Sequence, residues 1–213
     1  MWGQNFLKRP FSIHDLRKDC FEILYKIVGE GTEALAKKRE GEFINILGPL
    51  GQGFRIESKT KKIYLIGGGM GIAPLLFLAN SYPEIEREVF IGTSGLDELA
   101  FFAKNNFRVV VGPEFIKIAT EKGSYGHKGL VTNLLPSSFE EKSQIFACGP
   151  ALMLKEVSKI ALKNNVPCQV SLEARMACGL GVCRGCVIET KNGFKAVCKD
   201  GPVFESQEVI WDD

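Results

Sequence analysis

Between residues 60 and 166 the apolar positions come in blocks, and the blocks alternate between two rhythms. KKIYLIGGGMGIAPLLFLANSY, at 61–82, begins with a continuous apolar run, passes through glycines and continues as a longer apolar stretch with helical spacing. That order predicts a strand buried on both faces, a tight turn and a helix. SQIFACG at 143–149 and PALMLKEVSKIALKNN at 150–165 repeat it as strand and amphipathic helix, while EVFIG (88–92) and RVVVG (108–112) read as further core strands. Strands alternating with helices predict a doubly wound parallel sheet.

The rhythm differs on either side of this block. Before it, FEILYKI (21–27) and EFINILG (42–48) are short apolar or alternating runs separated by GEGT (29–32) and GPLGQG (48–53). Such runs predict antiparallel β structure. After it come CQVSL (168–172), a cysteine loop, CVIET (186–190), a KNG turn and FKAVC (194–198). The pattern therefore predicts an α/β plus β protein in three parts: an antiparallel β segment at 1–60, an α/β domain at 61–166 and a small domain at 167–213. The last is too short to pack well unaided, and a metal centre would supply the missing stability.

Composition narrows the function classes. With 213 residues, 45% of them hydrophobic and 24% charged, the chain can bury a proper core. Its apolar runs are short and broken by Gly and Pro, which predicts no membrane span, and MWGQNFLKRPFS has no signal-peptide core. A cytoplasmic protein is expected, in which clustered cysteines serve metal or redox chemistry rather than disulfides. The net charge of +2 comes from Lys and Arg spread along the chain and mostly matched by acids, which argues against a nucleic-acid partner.

Two glycine turns are the first candidates for chemistry. In GGGMGIAPL (67–75), Gly69 and Gly71 with their neighbours let a ligand approach backbone amides unobstructed, and a helix starting near Pro74 aims its free N–H groups at a diphosphate. The spacing departs from G-x-G-x-x-G, so a strand-to-helix turn without a ligand is the competing reading. Cys148-Gly149-Pro150 marks a second such turn, and two of them in one α/β unit should meet at the carboxyl edge of the sheet. RPFSI (9–13) places Arg9 three residues before Ser12, a pair able to bind phosphate, and Gly31 and Thr32 of GEGT offer an amide and a hydroxyl. Taken singly, these read equally as solvated turn residues. His14 and His127 read as structural.

The cysteines are more specific. Cys178, Cys183, Cys186 and Cys198 form C-x4-C-x2-C-x11-C, the spacing of plant-type [2Fe–2S] sites. Structural zinc usually takes two C-x2-C pairs, and only one is present. A zinc site and a redox disulfide remain the alternatives. Gly179, Gly181 and Gly185 free the loop to wrap a cluster and turn its amides toward the sulfurs. Cys20 and Cys168 read as small apolar residues.

RPFSI, GEGT, GGGMGIAPL, GSYGHKGLVT, ACGPALML, EARMACGLGVCRGC and CKDGPVF, in this order, resemble the electron-transfer subunits of heteromeric (B-type) dihydroorotate dehydrogenase, within the ferredoxin reductase-like flavoproteins. The resemblance covers the chain from Arg9 onward. It implies FAD between a β-barrel and the nucleotide domain, with Arg9, Pro10, Phe11 and Ser12, then Leu24, Tyr25 and Lys26, then Gly31 and Thr32 lining it. By the same resemblance Gly69 and Gly71 hold the NAD diphosphate, Cys148, Gly149 and Pro150 lie near the nicotinamide, and the four cysteines bind a [2Fe–2S] cluster. It further implies an FMN-containing catalytic subunit as partner, two of each in a heterotetramer, with electrons passing from FMN through cluster and FAD to NAD⁺ as dihydroorotate becomes orotate in pyrimidine biosynthesis.

Family members carry the first barrel strands and a P-G-Q motif before RPxSI. Here Met1 stands eight residues before Arg9, so the resemblance implies a barrel shortened at its front, its open edge covered by a partner or a second copy. EVFIGTSGLDEL (88–99) lacks Arg or Lys for a 2′-phosphate, and Asp97 or Glu98 would repel one, which favours NAD over NADP. The alternatives are the small subunit of a sulfide dehydrogenase or ferredoxin:NADP oxidoreductase, and a non-catalytic iron–sulfur sensor. Those reductases often carry Asp for one cluster cysteine, and all four are Cys here.

Overall fold

The computed structural model describes residues 7–99 and 115–211. Its centre is a seven-stranded sheet in the order β11-β8-β7-β3-β4-β5-β6. The strands are β3 (Lys62–Gly68), β4 (Glu86–Thr93), β5 (Ile116–Thr120), β6 (His127–Lys128), β7 (Ser143–Cys148), β8 (Cys168–Ser171) and β11 (Val203–Glu205). All neighbours run parallel except the edge pair β11 and β8. Every residue of β3 and β7 is buried, as their unbroken apolar runs require for strands covered on both faces.

Alternation along β3 divides the core. Ile63 and Leu65 pack with Leu75, Leu76, Val89 and Phe146 beside helix α2 (Ile72–Ser81), and Tyr64 and Ile66 pack on the opposite face with Leu154, Val157 and Ala161 of helix α3 (Ala151–Lys163). Each fully buried Leu or Ile stabilises this arrangement by about 1.5–3 kcal/mol. The end of α2 carries no basic residue in its last turn. Arg87 of β4 takes that part from outside the helix: its buried guanidinium donates to the carbonyls of Ala79, Tyr82, Pro83 and Ile85. RVVVG falls outside the described residues.

The first segment departs from expectation. It holds an antiparallel hairpin, β1 (Ile13–Leu16) with β2 (Phe21–Ile23), and helix α1 (Glu30–Ala36). FEILYKI is a strand only for its first three residues. GEGT opens α1 instead of forming a free turn: the Thr32 hydroxyl accepts from the amides of Val28 (2.9 Å) and Gly29 (3.2 Å) and donates to the Gly29 carbonyl. EFINILG forms no strand. Phe43 is 96% exposed, and a segment with no neighbour to pair with gains nothing from extension. Among the described residues this segment forms no closed barrel.

The boundary expected at 167 also cuts through the sheet. CQVSL is strand β8, paired in parallel with β7, and VFE of the closing CKDGPVF is β11, paired with β8. What stands apart is the cysteine loop, the hairpin of β9 (Val187–Thr190) and β10 (Gly193–Ala196), and the short helix α4 (Val197–Asp200).

Candidate functional site

From β3 the chain moves to β4 on one side, and from β7 to β8 on the other, although β3 and β7 are neighbours. Their carboxyl ends therefore form a topological switch point, and the turns leaving them part around a crevice. Both glycine turns sit there. The left-handed Gly69 (φ +53°) starts a 3₁₀ turn at 69–71 that leads into α2. A Cβ on Gly71 would stand 2.1 Å from the Cys148 carbonyl oxygen, and one on Gly149 would stand 2.9 Å from Gly68 Cα. The two turns thus touch backbone to backbone, which only glycine permits. Pro150 and Met153, which sequence reading did not connect with Gly68, close over it from α3.

Cys148 lies 4% exposed beneath this contact. Burial pushes its thiol up to about 12; a hydrogen bond with Ser171 offsets part of this and the Glu173 carboxylate adds to it. The group is a neutral thiol near neutral pH and brings no charge to the crevice. Glu98 is placed differently from its expected part in ribose selection. Its carboxylate accepts from the Ser94 amide at 3.1 Å, lies against Gly69 and stands 3.9 Å from Lys26 Nζ.

Of the N-terminal segment, Lys26 approaches the crevice through Glu98, and Leu24 packs against the same core cluster as Met70. β1 runs beside α2, where His14 Nδ1 lies 3.3 Å from the Ala73 carbonyl. Arg9, Pro10, Phe11 and Ser12 form an exposed stretch leading into β1. Phe11 and Tyr25 meet edge to face with ring centroids 5.4 Å apart, and Leu24 packs with Phe54, Ile56 and Met70 on the α2 side of the core. The Arg9 guanidinium covers Gly31, where a Cβ would approach its Nε to 2.9 Å. Of the residues singled out from sequence, Thr32 is buried and its hydroxyl is taken up by the start of α1.

Cys178 interacts electrostatically with Cys183, and Cys198 with Cys186 and with Cys178. Among the described residues no three ligand-type side chains gather as around a single ion. The loop turns its amides onto the sulfurs, as its glycines predict. Gly181 donates to Cys198 Sγ at 3.1 Å, Leu180 and Cys183 to Cys178 Sγ at 3.4 and 3.5 Å, and Cys198 to Cys186 Sγ at 3.5 Å. The Cys183 and Leu180 amides pull the Cys178 thiol down to about 6, whereas burial and then the Cys186 thiol push Cys198 up. Gly179 and Gly181 are left-handed, at φ +72° and +76°, and permit this inward turn. Four cysteines under convergent amides fit thiolate ligation of an iron–sulfur cluster.

Known proteins agree with this geometry. The family profile of the iron–sulfur cluster binding domain of dihydroorotate dehydrogenase B matches residues 173–210. The dihydroorotate dehydrogenase B (NAD⁺) electron transfer subunit of Caldanaerobacter subterraneus subsp. tengcongensis is 40% identical over 98% of this chain and 83% of the relative. The same-named subunit of Clostridium acetobutylicum is 38% identical over 97% and 81%. Among solved structures, an NADH-dependent reduced ferredoxin-NADP oxidoreductase, described for flavin-based electron bifurcation, superposes with a TM-score of 0.77 at 30% identity. It covers 96% of this chain and 74% of its own.

Proposed function

The chain belongs to the family of dihydroorotate dehydrogenase B electron transfer subunits, and from that premise we propose that it passes electrons between an FMN-containing catalytic subunit and NAD through a [2Fe–2S] cluster and FAD. What supports the cluster type is the C-x4-C-x2-C-x11-C spacing of Cys178, Cys183, Cys186 and Cys198, together with the amides aimed at sulfurs of this set. The FMN partner, a two-plus-two assembly, the oxidation of dihydroorotate and a cytoplasmic setting belong to this reading. Among the described residues no helix is long and apolar enough to cross a membrane.

A bound flavin supplies the conversion between hydride exchange with a nicotinamide and single-electron exchange with a cluster. The chain's own residues position and insulate. Arg9 and Ser12 supply charge and hydroxyl for the flavin diphosphate, Phe11 and Tyr25 with Pro10 line its ring, and Leu24, Lys26, Gly31 and Thr32 fix the backbone around it. The hairpin β1–β2 belongs to the flavin-binding segment in this reading. The turn through Gly69 and Gly71 presents backbone to the NAD diphosphate, and Cys148, Gly149 and Pro150 border the nicotinamide with an uncharged thiol. Amides aimed at the sulfurs of Cys178, Cys186 and Cys198 stabilise negative charge there, which influences the cluster potential. Residues 88–99 contain no cation to receive a 2′-phosphate, so NAD is the expected nucleotide.

Anaerobic purification of the full chain with FAD supplied tests this reading. The visible spectrum should show flavin bands above an iron–sulfur envelope, and NADH should bleach both. A cluster spectrum with no flavin even after reconstitution would overturn it.

A further inference from the structure

GPLGQG, which joins the flavin segment to the sheet, has no part in the reading above, yet it touches the cysteine site at both ends. We propose that Leu50, Gly51 and Gln52 form a positioning strap that fixes the cluster-ligand loop relative to the flavin segment. Gln52 donates its amide to the Gly201 carbonyl at 2.5 Å and accepts from the Val203 amide at 3.3 Å, an isolated parallel bridge centred on Pro202. These residues directly follow the ligand Cys198. Gly51 is left-handed (φ +75°), and a Cβ there would stand 2.5 Å from the Gly201 oxygen and 2.9 Å from Pro202 Cδ. Only glycine allows so close an approach. Leu50 reaches the other end of the ligand set, its Cδ1 lying 3.4 Å from the Cβ position of Gly179, beside Cys178.

The far side of the strap is anchored as firmly. Buried Gln169 accepts from the Arg55 amide at 2.9 Å, and buried Gln144 accepts from the Glu57 amide at 2.8 Å and the Thr60 hydroxyl at 2.6 Å. Phe54 and Ile56 pack in the same cluster as Leu24. Residues 50–56 thus link the backbone around Cys178 and Cys198 to the same apolar core against which Leu24 packs. A support of this kind holds ligands in the geometry they need, and its loss typically costs about 10–100-fold in metal affinity or activity. The strap thereby sets the separation between flavin and cluster, an inference that rests on both groups being bound as proposed.

The test uses the full chain in complex with its catalytic partner. Gly51→Ala breaks the backbone contact, Leu50→Ala removes only the side-chain contact, and Leu50→Met restores bulk. In both disrupted variants iron loss to a chelator should accelerate and dihydroorotate-dependent NAD⁺ reduction should fall, each by about 10-fold or more. NADH oxidation by a dye that takes electrons at the flavin should be unchanged, and Leu50→Met should recover the coupled rate. Amide exchange at Val203 should rise in Gly51→Ala, with or without a cluster. Wild-type iron retention and coupled rate in both disrupted variants would overturn the proposal. So would a parallel fall of coupled and dye-linked rates, which marks a general folding role. If wild type holds its cluster but shows no coupling, the functional reading fails, and iron retention with amide exchange still decides the strap.

Discussion

Cys183→Ser should abolish dihydroorotate-dependent NAD⁺ reduction while leaving dye-linked NADH oxidation. Cys183 is exposed on the loop, and its amide donates to the Cys178 sulfur at 3.5 Å. Serine keeps the backbone and that amide contact but offers a hydroxyl where soft thiolate ligation is required. The set of four then loses a ligand. Coupled turnover should fall by more than the roughly 100-fold that bounds loss of an outer support. The hydride crevice is built by other elements, β3, β7 and the turns leading into α2 and α3, and should stay intact. The measurement is the ratio of coupled to dye-linked turnover together with iron content; a coupled rate near wild type in an iron-depleted variant would remove the cluster from the electron path.

The largest effect on stability is expected from Lys62→Met, at the opposite edge of the sheet. Lys62 opens β3 with its side chain only 9% exposed, and its ammonium meets Glu140 at 2.5 Å, Glu86 at 2.9 Å and Glu88 at 3.0 Å. Burial lowers its affinity for the proton, and the bonds to Glu140, Glu86 and Glu88 outweigh that and raise it. Burial acts to raise Glu88, but Lys117, 2.8 Å away, and Lys62 together hold it below the usual carboxylate range. Removing the ammonium strands no buried charge, because Glu86 and Glu140 regain water and Glu88 keeps Lys117, so the loss is that of hydrogen bonds to a charged group, about 1.5–3 kcal/mol. Against a total of about 5–15 kcal/mol such a loss is large. Since the Glu88 contribution is present above its unfolded pKa and fades as the carboxylate protonates, the difference between variant and wild type should be full at neutral pH. It should shrink below about pH 4. Urea unfolding at the two pH values checks both size and sign, and equal stability of the two proteins at neutral pH would show that the network contributes nothing.

The parts legible in the sequence are those fixed by local periodicity. Lys62–Gly68 and Ser143–Cys148 are legible as apolar runs leading into glycine, and the meeting of their turns at the carboxyl edge follows from the alternation of strands and helices. The thiol loop was legible because ligand spacing is itself local. What could not be read depends on distant pairing. Cys168–Ser171 looks like a strand in any context, and only its register against Ile145–Cys148 shows that it extends the central sheet. EFINILG carries strand composition but finds no partner among the described residues. Glu98 was noticed for its charge, yet its contact with Gly69 and its approach to Lys26 arise from folding. Gly51 bears no motif that announces Gly201; the one visible sign was a glycine-rich GPLGQG with no assigned use.

Electrons should cross this chain between its FMN-containing partner and NAD. The most direct test is NADH formation by a reconstituted anaerobic complex of this chain and its FMN-containing subunit, given dihydroorotate and NAD⁺. The account predicts NADH and orotate in equal amounts, with NADP⁺ a poor substitute. No NADH from a complex that demonstrably holds flavin and cluster would contradict it.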